Sequence, residues 1–257
     1  MATYKKKGNK AGSKEEQQRA AEANSTTAEV FNTLDEGAGR TEAWVSRNQK
    51  YIFIIIGAVA IVILGYLGYN QFILEPKQQE AANEMNQAQQ YFATALDAGT
   101  TQQQDSLFNL ALNGGEGRYG FLDIVDNYGG TDAANLSTYY AGMAYLHTGQ
   151  YQQAIDMLDD FKGKDEILGP LAKGGIGDAF MQLGQLEEAL DYYEDAASMR
   201  DNGFTAPKFL FKAAMVSLEL GKGDNAEKYL NRIQNEYPES SEAGQIEVYL
   251  GQAQAMK

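Results

Sequence analysis

Residues 139–161 read YYAGMAYLHTGQYQQAIDMLDDF. Small and large apolar residues recur at three- and four-residue steps up to Leu146, a glycine follows at 149, and the period resumes from Tyr151 through Ala154 and Leu158. That is two amphipathic helices joined by a turn. The pattern returns as KGGIGDAFMQLGQLEEALDYYEDAAS at 173–198 and as FLFKAAMVSLELGKGDNAEKYLNRIQNEYP at 209–238. Turn glycines at 149, 184 and 221, with an earlier one at 114 behind DSLFNLALN, are spaced 35, 35 and 37 residues apart. The second-helix alanines 154, 189 and 226 keep the same 35 and 37. Two series in register at that period mark a helical repeat array. Gly142, Gly177 or Ala214 lets the paired helices approach closely, and large residues (Tyr145, Phe180, Leu158, Tyr193, Leu230) fill the space between neighbouring pairs. Pro207 and Pro238 break the helical run at repeat boundaries.

Gly142, Tyr145, Gly149, Tyr151, Ala154 and Leu158 closely resemble the tetratricopeptide repeat signature, as do Gly177, Phe180, Gly184, Ala189, Tyr193 and Ala196. The third repeat keeps Ala214, Gly221, Ala226, Leu230 and Pro238 but has Ser217 at the aromatic position. Around Gly114 the pattern is degenerate, with Tyr119 where alanine is expected, as a terminal repeat allows. The resemblance runs from about Gln102 to Pro238 and implies an all-α solenoid that binds partners on the concave face lined by first helices. Carried over position by position, that groove comprises Leu136, Tyr139, Met143, Leu146 and His147 in one repeat. Leu171, Gly174, Asp178, Met181 and Gln182 follow in the next, and Lys208, Phe211, Met215, Leu218 and Glu219 in the third. The basic and Asn residues that clamp a C-terminal carboxylate in chaperone-docking members are missing here. A mostly apolar, methionine-bearing groove remains, suited to varied apolar partners. The alternative is that these side chains pack on a neighbouring helix, including the chain's own closing segment.

Upstream of the repeats, YIFIIIGAVAIVILGYLGY at 51–69 carries no charge, and the uncharged stretch continues to Leu74. At about 1.5 Å per residue a helix of that length matches the ~30 Å hydrocarbon core of a bilayer. Tyr51, Tyr66 and Tyr69, with Trp44 further out, sit where aromatic rings favour the headgroup region. A cleavable signal peptide is a poor match, since the run begins after fifty residues and lacks a small-x-small exit. Arg40, Arg47 and Lys50 precede it, whereas Lys77 follows among Glu75, Glu80 and Glu84. The positive-inside bias therefore puts the N-terminus in the cytoplasm and the C-terminal part in the periplasm.

This division accounts for the net charge of -14. Residues 1–50 hold nine Lys/Arg against seven Asp/Glu, and the residues after Leu74 hold twelve against 28. Such an acidic chain is a poor nucleic-acid binder. The absence of cysteine and a single histidine leave no thiolate metal site, no cysteine nucleophile and no pair of histidine ligands. GEGRYG at 115–120 fits G-x-G-x-x-G, but it follows a helical segment rather than a strand and reads as an inter-helix turn. The acid pairs Asp159/Asp160, Asp165/Glu166 and Glu187/Glu188 read as solvated faces. No catalytic residue, cofactor or metal is assigned, and the chain is expected not to be an enzyme.

The expected organisation is a partly disordered cytoplasmic tail at 1–50, a single transmembrane helix at 51–74, a connecting helix at 75–100 and the repeat domain at 101–257. A capping helix at 239–256 closes the array, with Ser240 or Ser241 as its N-cap. In the tail, AEVFNTLDEG after Ser25-Thr26-Thr27 forms a cap and a short amphipathic helix exposing Val30, Phe31 and Leu34, or else a weakly ordered linker. This combination resembles the YfgM-type ancillary subunits of the bacterial Sec translocon, with a composition similar to members from Bacteroidetes. The resemblance implies an inner-membrane, single-pass protein that meets the SecYEG channel, a PpiD-like membrane-anchored periplasmic chaperone and emerging secretory proteins. The alternative is a scaffold of another cell-envelope complex, in cell division, outer-membrane assembly or secretion.

Overall fold

The computed structural model describes Lys14, Arg19 and residues 26–256, with the side chains of 26–40 described at Val30 and Leu34 alone. Ser25 and most of the lysine-rich start of the tail lie outside the described residues. The chain divides into two units after Tyr69.

In the first unit, α1 (Thr26–Tyr69) is 44 residues long, about 66 Å at 1.5 Å per residue. The short amphipathic helix expected near Val30 is the start of this longer one: Gly37 and Gly39 lie inside it, because neither needs a non-helical φ and the apolar run beyond propagates helix through them. Val30 and Leu34 are exposed. The chain contains one helical stretch, among the described residues, long and apolar enough to cross a membrane, with a window of mean hydropathy 2.5 and none of it buried.

The second unit opens with a π-helical segment, Asn70–Leu74, and continues as α2 (Glu75–Leu96), α3 (Thr101–Asn113) and the short α4 (Phe121–Asn127). Three helix pairs follow: α5 (Asp132–His147) with α6 (Tyr151–Asp160), α7 (Leu168–Gln182) with α8 (Leu186–Met199), and α9 (Thr205–Glu219) with α10 (Gly223–Glu236). A 3₁₀ turn, Ala243–Gln245, leads into α11 (Ile246–Ala255). No strand occurs among the described residues. Each helix packs chiefly on its neighbours in sequence, and each first helix also touches the next, α5 with α7 and α7 with α9. A solenoid with first helices on its inner face results.

The same turn closes all three first helices. Gly149, Gly184 and Gly221 have φ of +75°, +74° and +73°. At each, the next residue's N–H reaches back five residues: Gln150 to Tyr145 O (2.9 Å), Gln185 to Phe180 O (2.9 Å) and Lys222 to Ser217 O (2.8 Å). This is the six-to-one bond of the Schellman motif, which a left-handed residue permits. Small residues set the packing distance. A Cβ on Gly142 would lie 2.6 Å from Leu158 Cγ, and one on Gly177 would lie 2.7 Å from the Tyr193 ring. Leu158, Tyr193 and Leu230 are buried, whereas Tyr145 and Phe180 stay half-exposed at the edges of the stack.

Three expectations change at the ends of the array. Gly114 has φ +76° but an extended ψ of -179°, so it does not repeat the Schellman turn. The chain instead doubles back tightly: a Cβ on Gly114 would meet Arg118 O at 2.1 Å, and one on Gly120 would meet Leu112 O at 2.3 Å. GEGRYG is thus a compact turn, and Tyr119 lies outside any helix, exposed and edge-on to Tyr128. The helix at 75–96 is part of the solenoid core rather than a connector. Its buried face (Ala81, Met85, Ala88, Phe92, Ala95) packs on α3 and α5, with the Phe92 ring 5.2 Å from Phe108 and 5.1 Å from Tyr140. At the other end, Ser240 Oγ accepts from Ala243 N–H (3.3 Å), capping the 3₁₀ turn before α11 rather than α11 itself.

The outer face is stitched unevenly. Lys222 pairs with Glu187, and Tyr229 donates to Glu194, so α8 and α10 are joined by contacts 35 residues apart. The matching positions one repeat earlier are Gln152 with Gln185 and Asp159 with Tyr192. No hydrogen bond joins α6 to α8 among the described residues.

Gly142→Val is expected to lower stability by about 1–3 kcal/mol through overpacking against Leu158. Gly251→Ala, in a helix with nothing within 4 Å of the added methyl, is expected to raise it by roughly 0.5–1 kcal/mol. Thermal unfolding of the two full-length variants in detergent, followed by circular dichroism, checks both signs.

Candidate protein-binding groove

The inner face carries one cleft where α5, α7 and α9 converge, about 470 Å³ and lined by Leu146, His147, Tyr151, Asp178, Met181, Gln182 and Lys212. Its floor is polar and interlocked. Tyr193 OH donates to Asp178 Oδ1 (2.6 Å), and Lys212 Nζ contacts the same oxygen at 2.5 Å. The Lys212 ammonium also lies 5.5 Å from the centre of the Tyr193 ring and 5.9 Å from that of Phe209. Burial, reinforced by the Asp178 charge, pushes the Tyr193 phenol well above its usual range, so the phenol remains a donor throughout ordinary pH. The Tyr151 hydroxyl reaches Gln182 Oε1 at 3.4 Å across the rim.

His147 stands at one end of the cleft, with its ring stacked on Phe108 at 4.8 Å and 9°. Burial of that ring lowers its pKa below 6.5, and the Asp178 carboxylate pulls in the opposite direction. The cleft therefore pairs apolar walls, Leu146 and Met181, with one buried-edge ion pair and a neutral imidazole at neutral pH. That chemistry suits an extended peptide segment with alternating apolar and polar groups.

Of the positions carried over from the repeat signature, Leu146, His147, Asp178, Met181 and Gln182 come together here. Gly174 does not: it lies beneath Phe209, whose ring would stand 1.8 Å from an added Cβ. Tyr139 is a core residue, buried against Phe161 (5.3 Å) and Tyr140 (5.7 Å), with its phenol pushed up to about 12 chiefly by burial. Leu136, Met143 and Leu171 are half-buried between adjacent core clusters. Met143 fills the dent at Gly175, its sulfur 3.4 Å from where a Cβ would stand.

The third row is covered by the chain itself. Phe211 packs edge-on against Tyr249 of α11 at 5.3 Å, and Met215 and the buried Leu218 share a cluster with Tyr249 and Ala253. Once α11 occupies the place of a further first helix, Leu218 is buried and Phe211 and Met215 are half-buried. Lys208 lies over the Phe209 ring (5.9 Å), and Glu219 is exposed. Tyr151, read from sequence as a signature residue, and Lys212 were not among the expected groove positions. A signal for Lys212 exists: it is 34 residues beyond Asp178, close to the repeat spacing, with opposite charge.

Helix pairs closed by identical glycine turns, stacked with first helices inward, define a tetratricopeptide-like repeat scaffold for protein–protein interaction. Residues 115–246 match the family described as "T7SS, ESX-1 secretion system protein EccA1, N-terminal domain", and the chain belongs to that family. No curated protein matches the chain. Among solved structures, the Q17M crystal structure of nearly identical TPR-like repeats, from a Podospora anserina protein described as a kinesin light chain, is 14% identical with a TM-score of 0.48. That match covers 69% of this chain and 86% of the other.

Since folding lowers the proton affinity of His147, protonation favours the unfolded chain. Its contribution to stability is fully present above about pH 6.5 and is lost as pH falls toward the folded-state midpoint. An NMR titration of this sole histidine is expected to give a midpoint below 6.5, and Asp178→Asn is expected to move it lower still, because the opposing carboxylate charge is gone.

Proposed function

We propose that this chain is a non-enzymatic, single-pass scaffold of a bacterial cytoplasmic membrane. Its N-terminus is cytoplasmic and its repeat domain periplasmic, and it serves as an ancillary subunit of the Sec translocon. In this reading it meets the SecYEG channel and a PpiD-like chaperone, and engages secretory segments as they emerge. The observation that carries the reading is the joining, on one chain, of an uncharged apolar stretch with a solenoid whose inner cleft sets Leu146 and Met181 around the Asp178–Lys212 pair. The charge asymmetry supports the orientation: the flank before the span is basic and the repeat domain strongly acidic.

A second reading has its own support. The matched family is described by a secretion-system protein of another type, which favours a scaffold within a different secretion machine, with the same fold and the same cleft. Site-specific photocrosslinkers at Met181, in the cleft, and at Ile61, in the span, separate the two in native membranes. Channel and chaperone subunits crosslinked from Ile61, with secretory precursors crosslinked from Met181, support the Sec reading. Crosslinks confined to components of another secretion apparatus overturn it in favour of the second. Met181→Glu is expected to reduce the cleft crosslinks of a neighbouring probe at Gln182 severalfold while leaving those at Ile61 unchanged.

A further inference from the structure

In an alternating helical array, the loops that lead from a second helix into the next first helix all lie at one edge, and the glycine turns lie at the other. Within the unit from Asn70 onward, that loop edge is also where the chain comes from the apolar stretch. Lys77 Nζ donates to Gly129 O (3.2 Å), Gln78 Nε2 donates to Asp132 Oδ2 (3.0 Å), and Asp132 N–H donates to Gln78 Oε1 (2.8 Å). The start of α2 is thereby bound side by side with the start of α5. Immediately before it come Phe72 and Ile73, 79% and 56% exposed.

Hydrogen bonds carry the same edge onward, loop to loop. Asn135 pairs with the Lys162 backbone through both amide groups, at 3.3 and 2.9 Å. Asn202 Nδ2 donates to Glu166 O (3.0 Å), and Tyr237 OH donates to Asp201. The edge is therefore a continuous rim from Lys77 to Tyr237.

Two positions on this rim break the rule that large apolar side chains go inward. Ile167 is 37% exposed and Phe204 60% exposed, and the two are 37 residues apart. The same device presents both. Asp165 Oδ1 accepts from the N–H groups of Ile167 (2.8 Å) and Leu168 (2.5 Å), and Asn202 Oδ1 accepts from those of Phe204 (3.0 Å) and Thr205 (2.8 Å). Each is an Asx turn that fixes the backbone just before a first helix and leaves the apolar side chain projecting. The charges around them also depart from the rest of the domain. Lys162, Lys164 and Arg200 stand against Asp160, Asp165, Glu166 and Asp201 here, so a domain with a large acidic excess presents a rim only slightly acidic.

We infer that this rim is a second membrane contact, in which Ile167 and Phe204 dip into the headgroup region of the same bilayer that the apolar stretch ending at Leu74 crosses. The inference rests on the spanning reading of that stretch. Exposed apolar tips on a rigid rim supply the apolar area for shallow interfacial insertion, the low acidic excess there limits repulsion from anionic headgroups, and the rim's bonds to Lys77 and Gln78 keep it within a few residues of the apolar end. The solenoid then lies with its loop edge on the membrane and its glycine turns directed away.

The cysteine-free sequence makes the test direct. Single nitroxide labels at Ile167→Cys, Phe204→Cys, Leu183→Cys and Ile61→Cys are placed in the full-length chain, in bilayers of phosphatidylethanolamine and phosphatidylglycerol. Their collisions with oxygen and with a water-soluble nickel chelate are then compared. Leu183, 45% exposed but beside the Gly184 turn at the opposite edge, is the aqueous control. The expected result is an oxygen-to-nickel ratio several times higher at 167 and 204 than at 183. Nickel accessibility at 167 and 204 equal to that at 183 overturns the inference, as does low accessibility to both reagents there, which would mark a protein contact. The label at Ile61 keeps the two levels apart: lipid at 61 with water at 204 overturns the rim contact alone, whereas water at 61 overturns the span as well.

Discussion

The structure depends on how closely two helices of a pair can approach. Where Gly142 faces Leu158 and Gly177 faces Tyr193, there is no room even for a methyl group, and the large partner fills the space that the missing side chain leaves. This lock fixes which face of each helix is inward and hence which residues the next pair meets. Gly174 under Phe209 extends the same geometry from one repeat to the next. The cleft at Asp178 exists because those approaches hold α5, α7 and α9 at a spacing that a Lys212 side chain can bridge.

Much of this architecture was legible because it is periodic. The glycines at 149, 184 and 221 announce a turn that only a left-handed residue makes, and all three make it. The apolar stretch around Ile61 was equally plain, since nothing else in the chain is uncharged for so long. The ends of the array were harder to read. Gly114 keeps the spacing of the series but serves a different turn, because Gly120 must pass within touching distance of Leu112. Spacing alone does not distinguish those two demands for glycine. The helix at 75–96 looked like a connector because its polar residues dominate, yet alanines at 81, 88 and 95 with Met85 and Phe92 form a complete buried stripe.

The groove was half legible for a related reason. A repeat signature specifies which positions point inward, and of those positions Leu146, His147, Asp178, Met181 and Gln182 lie around one cleft. It carries no information about what else comes to lie there. Phe211, Met215 and Leu218 obey the same positional rule, but α11 follows the last pair and covers them. Tyr139 obeys it too and is drawn into the core by Phe161, a residue outside the helices. Lys212 lies off the signature positions altogether and is recruited by the charge of Asp178 one repeat away.

The uneven stitching of the outer face gives the solenoid a direction of weakness. Between α8 and α10 a lysine–glutamate pair and a tyrosine–glutamate bond resist separation, whereas the equivalent positions at α6 and α8, Gln152 with Gln185 and Asp159 with Tyr192, are joined by no hydrogen bond among the described residues. Cohesion at that junction comes from the buried side chains, from the inner-face contacts of α5 with α7, and from Lys173 of α7, which pairs with Asp159 of α6 at 3.2 Å. Such a junction bends more readily than it shears: its outer side can gape while its inner side stays shut. A pull on the distal repeats would therefore be taken up as flexing at one fixed place in the array, and the cleft beside it would change width as the array flexed.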